Sequence, residues 1–158
     1  MTSIVLKSKE VEKEIQKSRG KKSRAQGARF ELKVRKDLEA HGWITDKWTK
    51  NVDLEKRELI PAKRKFNPFN RVMTIGTGFP DFIAFKPILD HKVDDYYAYK
   101  VIGVEAKSNG LLDKIEKEKC KFLLEGNIFK NMVIASKAEE RGKIKYINFE
   151  NKENFDIF

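Results

Sequence analysis

Two stretches decide the fold: PDFIAF at residues 80–85 and YAYKVIGVEAK at residues 97–107. Each is a short apolar run rich in β-branched and aromatic residues, which is the composition of a strand buried on both faces. Side chains alternate along a strand, so Glu105 and Lys107 project together, on the face of Val101 and Gly103, while Val104 and Ala106 point the other way. Asp81 opens the first run and Glu105 closes the second.

Upstream, residues 72–75 (VMTI) predict another strand, ended by a turn at Gly76-Thr77-Gly78. Residues 86–95 read as a connecting loop. Between about 23 and 41 the spacing is helical, with Phe30, Val34 and Leu38 at i, i+4, i+8 and Gly42 as the stop. Trp43 and Ile44 look like the entry to a strand or loop. Residues 45–70 hold Pro61 and Pro68 with Lys63, Arg64 and Lys65, and read as a long basic excursion. Residues 7–20 are charge-dense, with Val11 and Ile15 at helical spacing: a short surface helix or a partly ordered arm. Downstream, residues 111–124 predict a helix whose face carries Leu111, Leu112, Ile115, Lys119 and Phe122 or Leu123, capped by Gly126. Residues 131–136 and 143–149 predict two closing strands. The fold class is therefore α/β, a mixed (α+β) sheet flanked by helices. Its organisation is a basic helix or arm over 1–21 and one domain over 22–158, with an insertion at about 45–70.

At 158 residues and 40% hydrophobic, the chain is long and apolar enough to bury a core. Its net charge of +10 favours polyanionic partners, because each neutralised phosphate releases condensed counterions. No apolar run approaches the ~20 residues that span a bilayer, and the N-terminus lacks a secretory core, so a soluble cytoplasmic protein is expected. A single cysteine, Cys120, excludes an internal disulfide and a thiolate metal cage. Cys120 reads as a small core residue, and His41, at a helix C-terminus, as a structural one. Trp43 and Trp48 read as core or rim aromatics, although Trp48, flanked by Lys47 and Lys50, has the surroundings to stack on a base. Lys21, Lys22, Arg24 and Arg29, and likewise Lys63, Arg64, Lys65 and Arg71, are dense enough to suggest phosphate contacts against the plainer alternative of solvated faces.

Acids at the ends of buried strands are unfavourable unless paired or metal-bound. Two carboxylates meeting there repel each other, and a hard divalent cation such as Mg²⁺ or Mn²⁺ removes that repulsion, acidifies a water and neutralises a scissile phosphate. Lys107 can orient or deprotonate that water, or stabilise developing charge. The plain alternative is a Glu105–Lys107 ion pair at a sheet edge, worth ~1 kcal/mol or less.

Pro80-Asp81 followed by Glu105-Ala106-Lys107 resembles the PD-(D/E)xK nuclease superfamily. Gly27-Ala28-Arg29-Phe30-Glu31 and Leu38-Glu39-Ala40-His41-Gly42-Trp43 resemble the first helix of archaeal Holliday-junction resolvases. The resemblance covers roughly residues 22–136. It implies a restriction-endonuclease-like core of helix, three-stranded meander, helix and strand, and it implies that Glu31 completes a metal site with Asp81 and Glu105. At ~100° per residue Glu31 lies about 60° off the Phe30/Val34/Leu38 stripe, which lets it border the core. In several branches a Gln-x-x-Lys element follows on the next helix. Glu116 to Lys119 is its nearest counterpart here, with Glu116 in place of the glutamine and Lys119 a candidate substrate contact. The resemblance implies a Mg²⁺- or Mn²⁺-dependent DNA endonuclease acting on branched or duplex DNA, and a homodimer, since a symmetric junction needs two cuts. The alternatives are a non-catalytic nucleic-acid-binding protein on a nuclease-like fold, and an RNA nuclease.

Overall fold

The computed structural model describes residues 2–67, 69, 71–76, 78–93 and 96–158, and within them all side chains but those of residues 2–13, 65, 74, 75 and 89–93. In chain order the elements are α1 (Thr2–Ala40), β1 (Ile44–Lys47), β2 (Lys50–Asp53), β3 (Glu58–Pro61), β4 (Arg64–Asn67), β5 (Val72–Ile75), β6 (Phe82–Val93), β7 (Tyr96–Ala106), α2 (Lys114–Glu125), β8 (Met132–Lys137) and β9 (Ile144–Asn148).

Five strands form the main sheet in the order β1-β6-β7-β8-β9. The first three make an antiparallel meander, β8 runs parallel to β7 after the α2 crossover, and β9 returns antiparallel. The mixed sheet flanked by helices that the sequence predicts is present. Alternation then sorts the core onto two faces. Phe82, Ala84, Ile102, Val104, Val133 and Ala135 pack with Phe30, Val34, Leu38 and Trp43 from the α1 side. Met132 and Ile134 point the other way, to Cys120 and Leu123 of α2 and to Phe79, Phe129 and Phe149.

Only the last part of α1 belongs to this core. A 39-residue helix is about 58 Å long at 1.5 Å per residue. Residues 14–29 are exposed apart from the half-buried Gly20, so the helix projects from the body. The segment at 7–20 is thus continuous with the core helix rather than a separate short element. The helix stops as expected at Gly42, which adopts φ +80°. There the Trp43 N–H reaches the Leu38 carbonyl at 3.1 Å and the Gly42 N–H reaches Glu39 at 3.0 Å, a pairing that satisfies the last carbonyls. Lys86 Nζ adds a hydrogen bond to the His41 carbonyl at 3.0 Å.

Three expectations are corrected. The first strand of the meander is β1, not residues 72–75, which pair with β4 in a separate ribbon. The stretch at 45–70, read only as a long basic excursion, holds regular structure: most of β1, the β2–β3 hairpin and β4. Residues 86–93 are strand rather than loop, prolonging β6 along β7 with a register shift between Pro87 and Lys92.

Candidate active site

Antiparallel register brings the two acids together. Phe82 stands opposite Val104, which sets Asp81, one residue before, beside Glu105, one residue after. Both fall on the α2 face, because their neighbours Phe82 and Val104 point into the α1 side of the core. Glu105 is 4% exposed, an unusual depth for a carboxylate. Each acid is fastened to the other's strand: Glu105 Oε2 accepts the Asp81 N–H at 3.1 Å, and Asp81 Oδ2 accepts the Ala106 N–H at 2.9 Å.

Two glycines make room for this crossing. Gly78 donates to the Trp48 carbonyl at 3.0 Å and Phe79 to the Lys50 carbonyl at 2.9 Å, so the chain enters Asp81 pressed against the β1–β2 connection. A Cβ at Gly78 would lie 1.9 Å from the Lys50 oxygen. On β7, a Cβ at Gly103 would meet Met132 Sδ at 2.6 Å and Pro80 Cγ at 3.1 Å. Pro80, fully buried, occupies the space that glycine leaves.

Lys107 lies over the pair. Its Nζ is 3.2 Å from Glu105 Oε1 and donates a short hydrogen bond to Glu116 Oε1 on α2. Glu116 is placed by its helix. Asp113 caps α2, its Oδ1 accepting the Glu116 N–H at 2.8 Å, while Glu116 Oε2 accepts the Asp113 N–H at 2.9 Å. Glu116 was visible in the sequence only as a substituted glutamine. The D-x-x-E spacing of 113–116 was the signal that α2 would present it in a fixed orientation.

Burial raises the Asp81 carboxyl well above the usual range, against the pull of the Ala106 N–H, and the negative charge of Glu31 adds to the rise. Burial raises Glu105 further, followed by the charge of Asp81. For Lys107, burial alone would lower the pKa, but the hydrogen bond to Glu116 and the charge of Glu105 outweigh it and hold the group a firm cation. Burial, then the charges of Glu105 and Glu116, push the Cys120 thiol up to about 12, so it is an inert core residue.

Glu31 is half-buried on α1, close enough for its charge to act on Asp81. Among the described residues no three His, Cys, Asp or Glu side chains converge tightly enough to hold an ion, so the expected trio of Glu31, Asp81 and Glu105 is drawn together only as a pair with Glu31 outside it. Lys119 is half-buried, donating to Asn51 Oδ1 at 2.8 Å above the Phe79 ring. Lys21, Lys22, Arg24 and Arg29 are exposed along α1, and Lys63, Arg64 and Arg71 are exposed about the β4–β5 ribbon. The side chain of Lys65 lies outside the described residues. Trp43 is core, donating to the Ile157 carbonyl at 2.8 Å, and Trp48 packs edge-on to Phe129 rather than presenting a free face. The α2 helix starts at Lys114 rather than 111; its buried side carries Cys120 and Leu123, whereas Ile115 on it and Leu111 before it, expected to face inward, are exposed. His41 Nδ1 sits 2.7 Å from the Asp37 carbonyl and its ring meets Phe158 edge-on, a structural setting.

A cleft of about 730 Å³ lined by residues such as Asp37, His41, Tyr146 and Phe155 shares no residue with the acidic centre. Among the described residues no helix is long and apolar enough to cross a membrane. No family model matches this chain, nor does any curated protein or solved structure.

Proposed function

We propose that this chain is a Mg²⁺- or Mn²⁺-dependent nuclease that hydrolyses phosphodiester bonds in DNA, on a restriction-endonuclease-like core. The single observation that carries the proposal is the pair of half-buried Asp81 and buried Glu105, cross-fastened between β6 and β7 with the Lys107 ammonium against it. The order helix, antiparallel meander, helix and parallel strand supports the same conclusion.

The donor set suits a hard cation. It is all oxygen, burial and neighbouring negative charge (Glu31 for Asp81, Asp81 for Glu105) disfavour both carboxylates as anions, and Asp81 Oδ1 accepts no hydrogen bond among the described residues. Mg²⁺ is commonly held by one or two carboxylates, with waters and substrate phosphate completing its shell. Asp81 and Glu105 would hold it, and Glu31 would act on it from outside. The chemistry such an ion supplies when bound is neutralisation of phosphate charge and acidification of a water.

The protein's own groups divide the remaining work. Glu105 and Glu116 both accept from Lys107, which fixes its ammonium as a cation beside the reacting phosphate rather than as a base. The exposed lysines and arginines of α1 supply a long positive flank for the DNA backbone. The charge surplus and the branched-DNA resemblance make four-way junctions the substrate to compare first.

Supercoiled plasmid, linear duplex and a four-way junction, each with Mg²⁺ or with chelator, test the proposal. Cleavage of at least one in Mg²⁺ only, abolished in Glu105→Ala, is expected. Salt-sensitive binding without cleavage in either metal would instead identify a non-catalytic nucleic-acid-binding protein.

A further inference from the structure

The β4–β5 ribbon presents an apolar surface that no core explains. Phe66 and Met73 are direct cross-strand partners on one face of this antiparallel pair, and they are 60% and 57% exposed. Phe69, in the turn between the strands, is 94% exposed. Large exposed apolar side chains gathered on one short ribbon mark a binding surface. Its surroundings say what binds there. Residues 59–80 contain no Asp or Glu, and Lys63, Arg64 and Arg71 are exposed around the aromatic groups. Arg64, two residues before Phe66, shares its face. Large apolar side chains framed only by positive charge complement a nucleic acid, whose phosphates flank stackable bases, better than they complement an ordinary protein surface.

The ribbon is also anchored to the β1–β2 connection, against which the chain enters Asp81. Its foot is held by the Ala62 N–H on the Thr49 carbonyl at 2.9 Å and the Gly76 N–H on the Lys63 carbonyl at 3.0 Å. Ala62 itself is buried. From Ile75 the chain needs only six more residues to reach Asp81, which at full extension is at most ~20 Å. The four-residue strand adds about 14 Å at ~3.4 Å per residue, so the tip reaches DNA within roughly one helical turn of the scissile phosphate.

We propose that this ribbon is a wedge: Phe66, Phe69 and Met73 enter duplex DNA and partly unstack a base step, while Lys63, Arg64 and Arg71 grip the flanking phosphates. Resting on the nuclease reading above, it names the preferred substrate class, duplexes with a step that opens easily, as at a junction or a flexible pyrimidine–purine step. Unstacking is least costly there, so the same device supplies structure selectivity without base-specific hydrogen bonds.

The test uses the full chain in chelator, with 2-aminopurine placed at the crossover of a four-way junction and in a continuous duplex. Wild type is expected to raise the junction fluorescence on binding. Phe66→Ala/Phe69→Ala is expected to bind the junction roughly 10-fold more weakly. It should give no fluorescence rise, yet keep the wild-type slope of affinity against salt, because no phosphate contact is removed. Both changes are at exposed positions, and unchanged thermal melting would show that the fold is kept. Wild-type affinity and fluorescence in the double variant would overturn the wedge alone, with Mg²⁺-dependent cleavage by wild type still standing. Light scattering supplies another overturning result: a wild-type dimer made monomeric by the substitutions would assign the patch to a second copy of the chain. A wild type that neither binds nor cuts any DNA would overturn both proposals.

Discussion

The side chains of Asp81 and Glu105 are each held by the other's strand, the Glu105 carboxylate on the Asp81 N–H at 3.1 Å and the Asp81 carboxylate on the N–H of Ala106 at 2.9 Å. This crossing fixes two carboxyl groups close together, Glu105 buried and Asp81 half-buried. It is an expensive arrangement for a folded chain, and the exposed surface offers many positions where neither acid would need it. Its consequences are measurable without knowing the substrate.

The first is a pH dependence of stability. Burial, helped by the charge of Glu31, raises the folded-state pKa of Asp81 to about 6, and burial, helped by the charge of Asp81, raises that of Glu105 to about 8. The folded state therefore holds protons that the unfolded chain releases. For Glu105 that contribution is complete below its ordinary value of 4.5 and is lost as pH rises through about 8. In metal-free buffer Glu105→Gln, which keeps an acceptor for the Asp81 N–H, is expected to melt above wild type at pH 8 and level with it at pH 4. Calorimetry at the two pH values checks this; equal Tm differences at both would contradict it.

A cation that relieves this repulsion stabilises the folded state by mass action. At 100 times its dissociation constant it contributes about 2.7 kcal/mol, or roughly 5–10 °C in Tm for a chain of this size. Wild type at pH 8 is expected to shift with Mn²⁺, and Asp81→Asn/Glu105→Gln to lose the shift. Fluorimetric melting across a metal titration provides the measurement.

Gly78 and Gly103 rank differently as supports. The Cβ of Gly78→Ala would meet backbone, the Lys50 carbonyl at 1.9 Å, whereas that of Gly103→Ala would first meet the pliable Met132 side chain at 2.6 Å. Overpacking costs typically 1–3 kcal/mol, and Gly78→Ala is expected at or above the top of that range, with Gly103→Ala below it. Urea unfolding of both variants gives the order. Gly78→Ala should also impair cleavage beyond its loss of stability, since it moves the chain entering Asp81.

Lys107 depends on α2 through Glu116. Asp113→Ala removes the cap and is expected to cost about 1 kcal/mol. Glu116→Ala should cost more, because it removes half of the capping box and one partner of a partly buried ammonium. Glu116→Gln keeps an acceptor for both and should retain cleavage, whereas Lys107→Met should lose roughly 100- to 1,000-fold in rate. Melting curves and single-turnover cleavage on the four variants separate the two roles.

Much of this centre was legible in the sequence because it lies on strands with strong local signals. Residues 80–85 and 97–107 are apolar on both sides, and period two alone places Glu105 with Lys107. The Phe30/Val34/Leu38 stripe and Gly42 likewise marked where α1 docks and ends. The first meander strand was hidden because β1 is an edge with only Thr45 buried, so Asp46 and Lys47 obscure the pattern. Residues 72–75 look more like a core strand, yet their partner is β4 and Val72 and Met73 are exposed. Composition reports β-propensity there, not which strand will pair. Residues 86–93 prolong the hairpin, but Pro87 and the unalternating order of apolar and charged residues after it carry no period-two signal. Residues 7–20 and 23–41 read as two segments, but α1 runs through both without a break. The Lys107–Glu116 contact depends on how α2 docks, which no local pattern encodes.

The most direct measurement is anomalous diffraction from crystals soaked in Mn²⁺ at pH 8, with wild type and Glu105→Gln compared. A peak between the carboxylates of Asp81 and Glu105 in wild type, lost in the variant, is expected. Absence of a peak there at saturating metal, or a peak elsewhere that Glu105→Gln leaves in place, would contradict a catalytic cation at this pair.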